Sequence, residues 1–296
     1  MGLAQVCRAA KPFDMQIFFL TVVTMVAFAA NSILTRMALE GGYIDPAGFA
    51  LVRVGAGAVV LSVLVALRGG ALPLFRRNRI AGALSLALYM IGFSLAYRTL
   101  DAGLGALILF GVVQITMFTQ SALSGTSPSK RQMGGAAVAF AGLMLVLWPA
   151  EGGGTDPVGA ALMVLAGLGW AVYSIVGRSA VDPLAATSAN FVLCLPLMLL
   201  LPMVSGASFS GMGVALAALC GGVTSGLGYA LWYVVLRQID GGTAAVAQLS
   251  VPIIAILGGV VLLGEAVSLT LIIATALVLG GIAWALSAKS AQAGRK

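Results

Sequence analysis

The sequence predicts an all-α polytopic membrane protein, with ten transmembrane helices in two inverted five-helix repeats. Three observations carry this. Of 296 residues, 60% are hydrophobic and 8% charged, and the mean hydropathy is +1.08. A soluble domain carries about 25% charged residues. Continuous apolar runs of the length that crosses a hydrocarbon core about 30 Å thick recur along the chain. Finally, the second half echoes the first at an offset near 139. Ser32-Ile33-x-x-Arg36 returns as Ser174-Ile175-x-x-Arg178, Asp45-Pro46 as Asp182-Pro183, and Arg98-x-x-Asp101-x-Gly103 as Arg237-x-x-Asp240-x-Gly242. Gly125 and Gly142 return as Gly264 and Gly281.

The runs fall at 15–36, 46–67, 80–98, 102–123 and 132–149, then at 157–177, 184–204, 212–236, 242–263 and 268–288. Residues 1–14 form a tail carrying Arg8, Lys11 and Asp14, with no small-residue cleavage site after the first apolar run. The first repeat is 15–150, the second 151–288, and 289–296 is a closing tail. Span one carries Asn31, Ser32 and Thr35, and span two a single charge, Arg53. Span three holds Tyr89, Ser94 and Tyr97, and span four Gln114, Thr116, Thr119 and Gln120. Gly134-Gly135 lies in span five, Trp170, Tyr173 and Ser174 in span six, and Cys194 in span seven. Span eight combines Gly222-x-x-x-Gly226 with Thr224, Ser225, Tyr229, Trp232 and Tyr233. Span nine has Gln248, Ser250, Pro252 and Gly258-Gly259, and span ten Gly280-Gly281. The glycines suit close backbone approach between helices, which drives packing in lipid. Pro252 is expected to kink span nine by removing a backbone donor in mid-span.

Five crossings per repeat force the second repeat into the membrane upside down. Inverted repeats are an architecture of secondary transporters, with substrate handled at the midplane. A β-barrel is excluded because barrel strands alternate in hydropathy. No segment is long enough for a soluble domain.

The net charge of +7 does not signal nucleic acid. With the N-terminus placed in the cytoplasm, 13 Lys and Arg residues fall on the cytoplasmic side, and only Arg36 and Arg98 on the other. That is the positive-inside asymmetry, so both termini are expected in the cytoplasm and the protein in the plasma (inner) membrane. Arg76, Arg77 and Arg79 read as a topology anchor touching anionic lipid. Cys7, Cys194 and Cys220 have no metal or disulfide spacing, and no cofactor is expected.

Several strings go further. Phe49-Ala50-Leu51-Val52-Arg53 stands in span two and Gly169-Trp170-Ala171-Val172-Tyr173-Ser174 in span six. Gly228-Tyr229-Ala230-Leu231-Trp232-Tyr233 leads toward Pro252 and the closing Leu263-Gly264-Glu265. Together these resemble the drug/metabolite transporter superfamily, in its ten-helix EamA-type branch, over essentially the whole chain. The resemblance implies an alternating-access carrier that exports amino acids or other metabolites; within the branch the chain is similar to the aromatic amino-acid exporters. It also implies that spans one, three, four, six, eight and nine surround the cavity. The first half departs from the pattern: Gln114 stands opposite Pro252, Thr126 opposite Glu265, and Phe28-Ala29-Ala30-Asn31 where a Trp-Gly pair is common.

Polar groups inside a bundle are the candidates for a site, since lipid-facing ones are costly. The substrate-binding candidates are Asn31, Tyr89, Gln114, Trp170, Tyr173, Ser174, Tyr229 and Gln248. Each competes with a reading as interhelical glue. Tyr97 and Tyr233 read as interfacial anchors. Arg53 either meets a substrate carboxylate or is a snorkelling or ion-paired structural residue, with Asp45, Asp101 or Glu265 as partner. With no histidine and no acid in mid-span, proton antiport is not expected, although Glu265 could couple protons if it borders the cavity. Arg53 alone does not suit phosphorylated solutes, and the missing carboxylate does not suit permanent cations. The expected partner is a small neutral or zwitterionic solute within a lipid bilayer, moved by facilitated diffusion; the sequence does not set the oligomeric state. A lipophilic drug or other metabolite exporter, with or without proton coupling, is the alternative. An enzyme would need nucleophile–base pairs or metal ligands that are missing here, and a channel would need rings of charge or carbonyls.

Overall fold

A computed structural model describes residues 15–123, 130–147, 155–177, 180–205, 208–239 and 247–293. The expected N-terminal tail and the echo positions Gly125, Thr126, Arg178, Asp240 and Gly242 lie outside the described residues. Among the described residues ten long helical elements follow in order: α1 (Met15–Glu40), α2 (Pro46–Leu67), α3 (Arg77–Ala96), α4 (Ala102–Leu123), α5 (Lys130–Leu147), α6 (Pro157–Gly177), α7 (Pro183–Ser205), α8 (Gly211–Leu236), α9 (Ser250–Leu263) and α10 (Leu269–Ala293). Seven are long and apolar enough to cross a membrane. Among the described residues Met133–Leu145 of α5, Ser250–Leu263 of α9 and Leu269–Ala285 of α10 are further apolar helical stretches. Large apolar side chains such as Phe19, Val59, Phe140 and Ile272 point outward. Contiguous exposed apolar surface of this kind is the mark of a membrane-embedded protein.

Helices begin where Asp-Pro pairs stand. The Asp45 carboxylate accepts the N–H groups of Ala47 and Gly48 at 2.8 and 2.9 Å. Asp156 accepts from Gly159 at 2.8 Å, and Asp182 from Ala185 at 3.2 Å. In each case proline occupies the first helical position, where its missing N–H costs nothing. The two ends of the bundle differ in charge. One, the acidic face, carries Glu40, Asp45, Asp101, Asp156 and Glu265; the other, the basic face, carries Arg68, Arg76, Lys130, Arg131 and Arg237.

The packing pairs are α3 with α6, α8 with α1, α4 with α6, α9 with α1, α3 with α7, and α8 with α2. In addition α2 packs on α7, α4 on α9 and α5 on α10. Small residues set the closest approaches. Gly135 and Gly281 each abut the other's carbonyl across α5 and α10. In α8 the tight contacts are made by Gly213, against the Tyr43 carbonyl, and Gly221, against the Arg53 carbonyl, and not by Gly222 or Gly226.

Next to Pro252 the helix is interrupted, as expected: Ala247 and Gln248 are helical, Leu249 is a turn, and α9 runs on from Ser250 with the proline in its first turn. Two other segments depart from α-helical winding. Cys220–Leu227 of α8 and Gly259–Leu263 of α9 wind as π-helix. Such segments are uncommon and often mark functional sites. After the second one, Gly264 takes a left-handed φ of 70° and ends α9, a conformation that glycine adopts without strain.

Candidate functional site

The π-helical winding of α8 aims three donors at one acceptor. The Asn31 side-chain oxygen on α1 accepts from the Thr224 hydroxyl at 2.7 Å, the Ser225 hydroxyl at 2.9 Å and the Cys220 thiol at 3.3 Å. Ser225 in turn accepts Nε of Arg53 at 3.1 Å. Nη2 of Arg53 donates to the Tyr89 hydroxyl at 2.9 Å, and the Tyr229 hydroxyl donates to the same oxygen at 3.2 Å. One polar network thus ties α1, α2, α3 and α8 together. The guanidinium also lies over the rings of Phe93 and Tyr89, at 4.6 and 5.3 Å from their centroids. Cation–π attraction of this kind grows as water is excluded.

An aromatic cage closes over the network. Trp170 stacks on Tyr173 at 5.5 Å and meets Tyr229 at 4.7 Å, Tyr89 at 5.1 Å and the edge of Phe28 at 5.8 Å. Phe28 also meets Tyr229 and Trp232 edge-on. Inside is a cavity of about 10 Å³ lined by Phe28, Asn31, Tyr89, Phe93, Phe110 and Trp170, among others. That is room for about one water molecule. The centre is therefore closed around itself, and Nε1 of Trp170 and Nη1 of Arg53 have no hydrogen-bond partner.

Arg53 neither snorkels nor forms an ion pair. It is fully buried, and none of the three acids considered as its partners reaches it. Those acids serve the acidic face instead. Arg36 pairs with Glu40 at 3.2 Å, Asp101 at 3.4 Å and Glu265 at 3.8 Å, and donates to the carbonyls of Tyr97 and Arg98. Glu265 accepts the Ala102 N–H at the start of α4, at 2.7 Å. Its own N–H returns to the Gly259 carbonyl at 3.1 Å, so the Leu-Gly-Glu motif ends α9 and docks it on α4. Asp45 accepts the N–H of Ser208, and Ile44 forms a β-bridge with Phe209.

On the basic face a cleft of about 710 Å³ opens between α2, α7 and α8, with Leu64, Arg68, Asp182, Leu231, Tyr233 and Arg237 among its walls. Behind Tyr233 lie the Tyr173 hydroxyl, the Thr187 hydroxyl and the Asn190 side-chain oxygen, all buried without a hydrogen bond of normal geometry. Arg79 is buried beside them at 4% exposure and donates to the Ala186 carbonyl, so it is not the lipid-touching anchor that the sequence suggests.

Of the candidate residues, the structure brings together Asn31, Tyr89, Trp170, Tyr173 and Tyr229. Ser174 is adjacent, but its hydroxyl folds back on the Trp170 carbonyl at 2.8 Å. Gln114 is buried in α4 and Gln248 in helical residues just before the turn at Leu249; neither lines the cavity. Tyr97 and Tyr233 are not interfacial anchors. Both are buried, and Tyr97 donates to the Ala102 carbonyl beneath Phe93. The lining residues Phe28, Phe93, Leu109 and Phe110 escaped the sequence reading, because an apolar side chain that faces a cavity has the same pattern as one that faces a neighbour.

A bundle of long apolar helices with an apolar exterior and a closed polar and aromatic centre is an integral membrane protein, and comparison with known proteins gives its class as transporters. The model of the EamA-like transporter family matches residues 157–287. An uncharacterized protein of Pseudomonas aeruginosa, PA1977, is 42% identical over 287 residues, covering 96% of this chain and 99% of its own. An uncharacterized transporter of Archaeoglobus fulgidus is 29% identical over 157 residues, which is 50% of this chain and 54% of its own. A crystal structure of a protein at 21% identity shares the fold, with a TM-score of 0.66 over 90% of this chain and 98% of its own. The chain belongs to the EamA-like transporter family.

Proposed function

We propose that the protein exports small neutral or zwitterionic metabolites, with aromatic amino acids the foremost class, by alternating access and facilitated diffusion. The observation that carries this is the cage of Phe28, Tyr89, Trp170 and Tyr229 around the Arg53–Asn31 network. Flat rings have faces to stack on there, and polar ends have donors and acceptors. Asn31, Tyr89, Trp170, Tyr173 and Tyr229 are the proposed substrate contacts. Gln114, Ser174 and Gln248 take supporting places in the helices around them.

The basic face is assigned to the cytoplasm of an inner membrane by the positive-inside rule, which puts both termini there. The cleft on that face is then the loading side, and the Arg36–Glu265 cluster is the closed exit. Residues 15–150 and 151–288 are read as the two inverted repeats. Exchanging each helix for the one five places away turns α3–α6 into α8–α1, α4–α6 into α9–α1, and α3–α7 into α8–α2, and all six are packing pairs. This supports a two-fold axis in the membrane plane.

The test is counterflow of labelled tryptophan, phenylalanine, threonine and methionine in proteoliposomes, with and without a pH gradient. Saturable exchange that ignores the gradient is expected. Stimulation by the gradient, lost in Glu265→Gln, establishes proton coupling instead. That second reading has one observation in its favour: burial pushes the Glu265 carboxyl above the usual carboxylate range. No exchange of any of the four transfers the assignment to lipophilic drugs or other metabolites, which the apolar walls of the cleft would suit.

A further inference from the structure

The interior of the bundle is cationic. Away from the helix ends the buried charge among the described residues is Arg53, at 0% exposure; Arg79, at 4%, and the Glu265 side chain, at 8%, are buried at helix ends. Every acid among them lies at a helix end or in a loop. The ion pairs among those residues all belong to Arg36 on the acidic face. A guanidinium does not deprotonate in proteins, so Arg53 keeps its charge in every state of the carrier. Two hydroxyls and two ring faces hold it, and none of these supplies an opposite charge. A buried cation left in this condition is costly, and the cost falls when an anion arrives with matching geometry. A purely structural arginine is expected to have its donors satisfied, yet Nη1 has no partner.

The position of the guanidinium is as telling as its charge. It lies behind Tyr89 and Phe93, both of which line the central cavity. The Tyr89 hydroxyl accepts from Arg53 on one side and from Tyr229 on the other, so an acceptor oxygen already sits between two donors. Trp170, which lines the same cavity, has an indole N–H without a partner.

We propose that the carboxylate of the solute is the obligatory recognition group and docks on Arg53, taking the free Nη1 and displacing the Tyr89 hydroxyl. The organic body of the solute then lies against Phe28, Trp170 and Tyr229. The ammonium of an amino acid is dispensable, because no carboxylate in the site requires it. The site therefore accepts apolar and aromatic monocarboxylates whether or not they carry an amino group. This rests on the reading of the aromatic cage as the substrate site.

Competition on the reconstituted full-length protein tests it. Labelled phenylalanine and labelled 3-phenylpropionate are offered as substrates, and phenylalanine, 3-phenylpropionate and phenethylamine as competitors. The two carboxylates are expected to compete within about threefold of each other, and the amine about a hundredfold more weakly, the size of effect that follows from losing one member of a buried charge pair. Arg53→Gln is expected to raise KM about a hundredfold while kcat falls less, with Arg53→Lys in between. Gel filtration and thermal unfolding of both variants establish that they are folded. Competition by phenethylamine equal to that of 3-phenylpropionate overturns the inference, as does unchanged KM in folded Arg53→Gln. Exchange of phenylalanine without competition by 3-phenylpropionate overturns it while leaving the amino-acid reading intact. Exchange of 3-phenylpropionate alone does the reverse. Transport of neither carboxylate overturns the inference even if every variant is folded. The competition arm uses the native protein, so it decides the matter even where a variant fails to fold.

Discussion

At the scale of single residues, Asn31 has the widest reach. One amide oxygen, 3% exposed with its residue, receives donors from three residues of the π-helical segment in α8. Asn31→Leu strands the Ser225 hydroxyl donor in an apolar interior, loosens its hold on Arg53, and leaves the Thr224 hydroxyl only the Cys220 carbonyl, at 3.0 Å. Unsatisfied buried donors cost about 1–3 kcal/mol, and interhelical hydrogen bonds in membranes average at the lower end of such values. A loss of about 1–3 kcal/mol in unfolding from detergent is expected, with transport abolished. A variant as stable and active as the parent would remove Asn31 from the site. Gly221 belongs to the same scale. Its Cα faces the Arg53 backbone so closely that any side chain drives α2 and α8 apart. Asn31 was visible in the sequence as a polar residue in an apolar span. Gly221 was not singled out, since Gly222 and Gly226 carried the familiar four-residue spacing and only the π winding selects the neighbour.

At the scale of elements, the acidic face is fastened by two carboxylates that titrate in opposite senses. Asp45, in the loop before α2, is opposed by burial, yet the N–H groups of Gly48, Ser208 and Ala47 outweigh it and hold the carboxyl below its usual range. A depressed value means that its contribution to stability is complete above the ordinary carboxylate range and is lost as pH falls through the depressed value. Glu265, in the turn after α9, is pushed up by burial, with Asp101 adding to it while Ala102, Gly103 and Arg36 pull the other way. Its contribution is complete below the ordinary value and is lost as pH rises through the raised one. Thermal unfolding across the acid-to-neutral range should therefore divide: Asp45→Asn lowers stability at neutral pH and not in strong acid, and Glu265→Gln removes the decline between acid and neutral pH. Identical pH profiles for both variants and the parent would contradict the assignment. The Asp-Pro pairs and the Leu-Gly-Glu string were legible in the sequence as punctuation. That the punctuation bolts α9 onto the first turn of α4 was not, because a carboxylate accepting a distant backbone N–H leaves no periodicity to read.

At the scale of the whole molecule, the ten-helix count was legible because hydropathy in a bilayer is a strong constraint. The ends of the helices were not: α1 runs on to Glu40, past the apolar run that stops at 36. The interior was half legible. Polar candidates could be named from type and depth, but a helix has sides, and only packing put Gln114 and Gln248 away from the cavity that Asn31, Tyr89 and Trp170 face. The orientation assigned to the molecule gives a direct prediction. Single cysteines placed at Gly70 and at Gly211, in an otherwise cysteine-free protein, should react with a membrane-impermeant thiol reagent from opposite sides, Gly70 only after the cytoplasmic surface is exposed. Labelling of both from one side would refute the odd number of crossings between them.

The winding of α8 has a mechanical meaning. A π-helical stretch carries more residues per turn than the α-helix on either side, so it holds slack. If Cys220–Leu227 were to tighten into α-helix, everything beyond it would turn about the helix axis by up to roughly 100° for each residue of register taken up. Tyr229, Trp232 and Tyr233 all lie beyond it, whereas Thr224 and Ser225 lie within. The segment is in effect a camshaft. A small change of pitch in Cys220–Leu227 would turn Tyr229 and Trp232 relative to the Thr224 and Ser225 hydroxyls that hold Asn31.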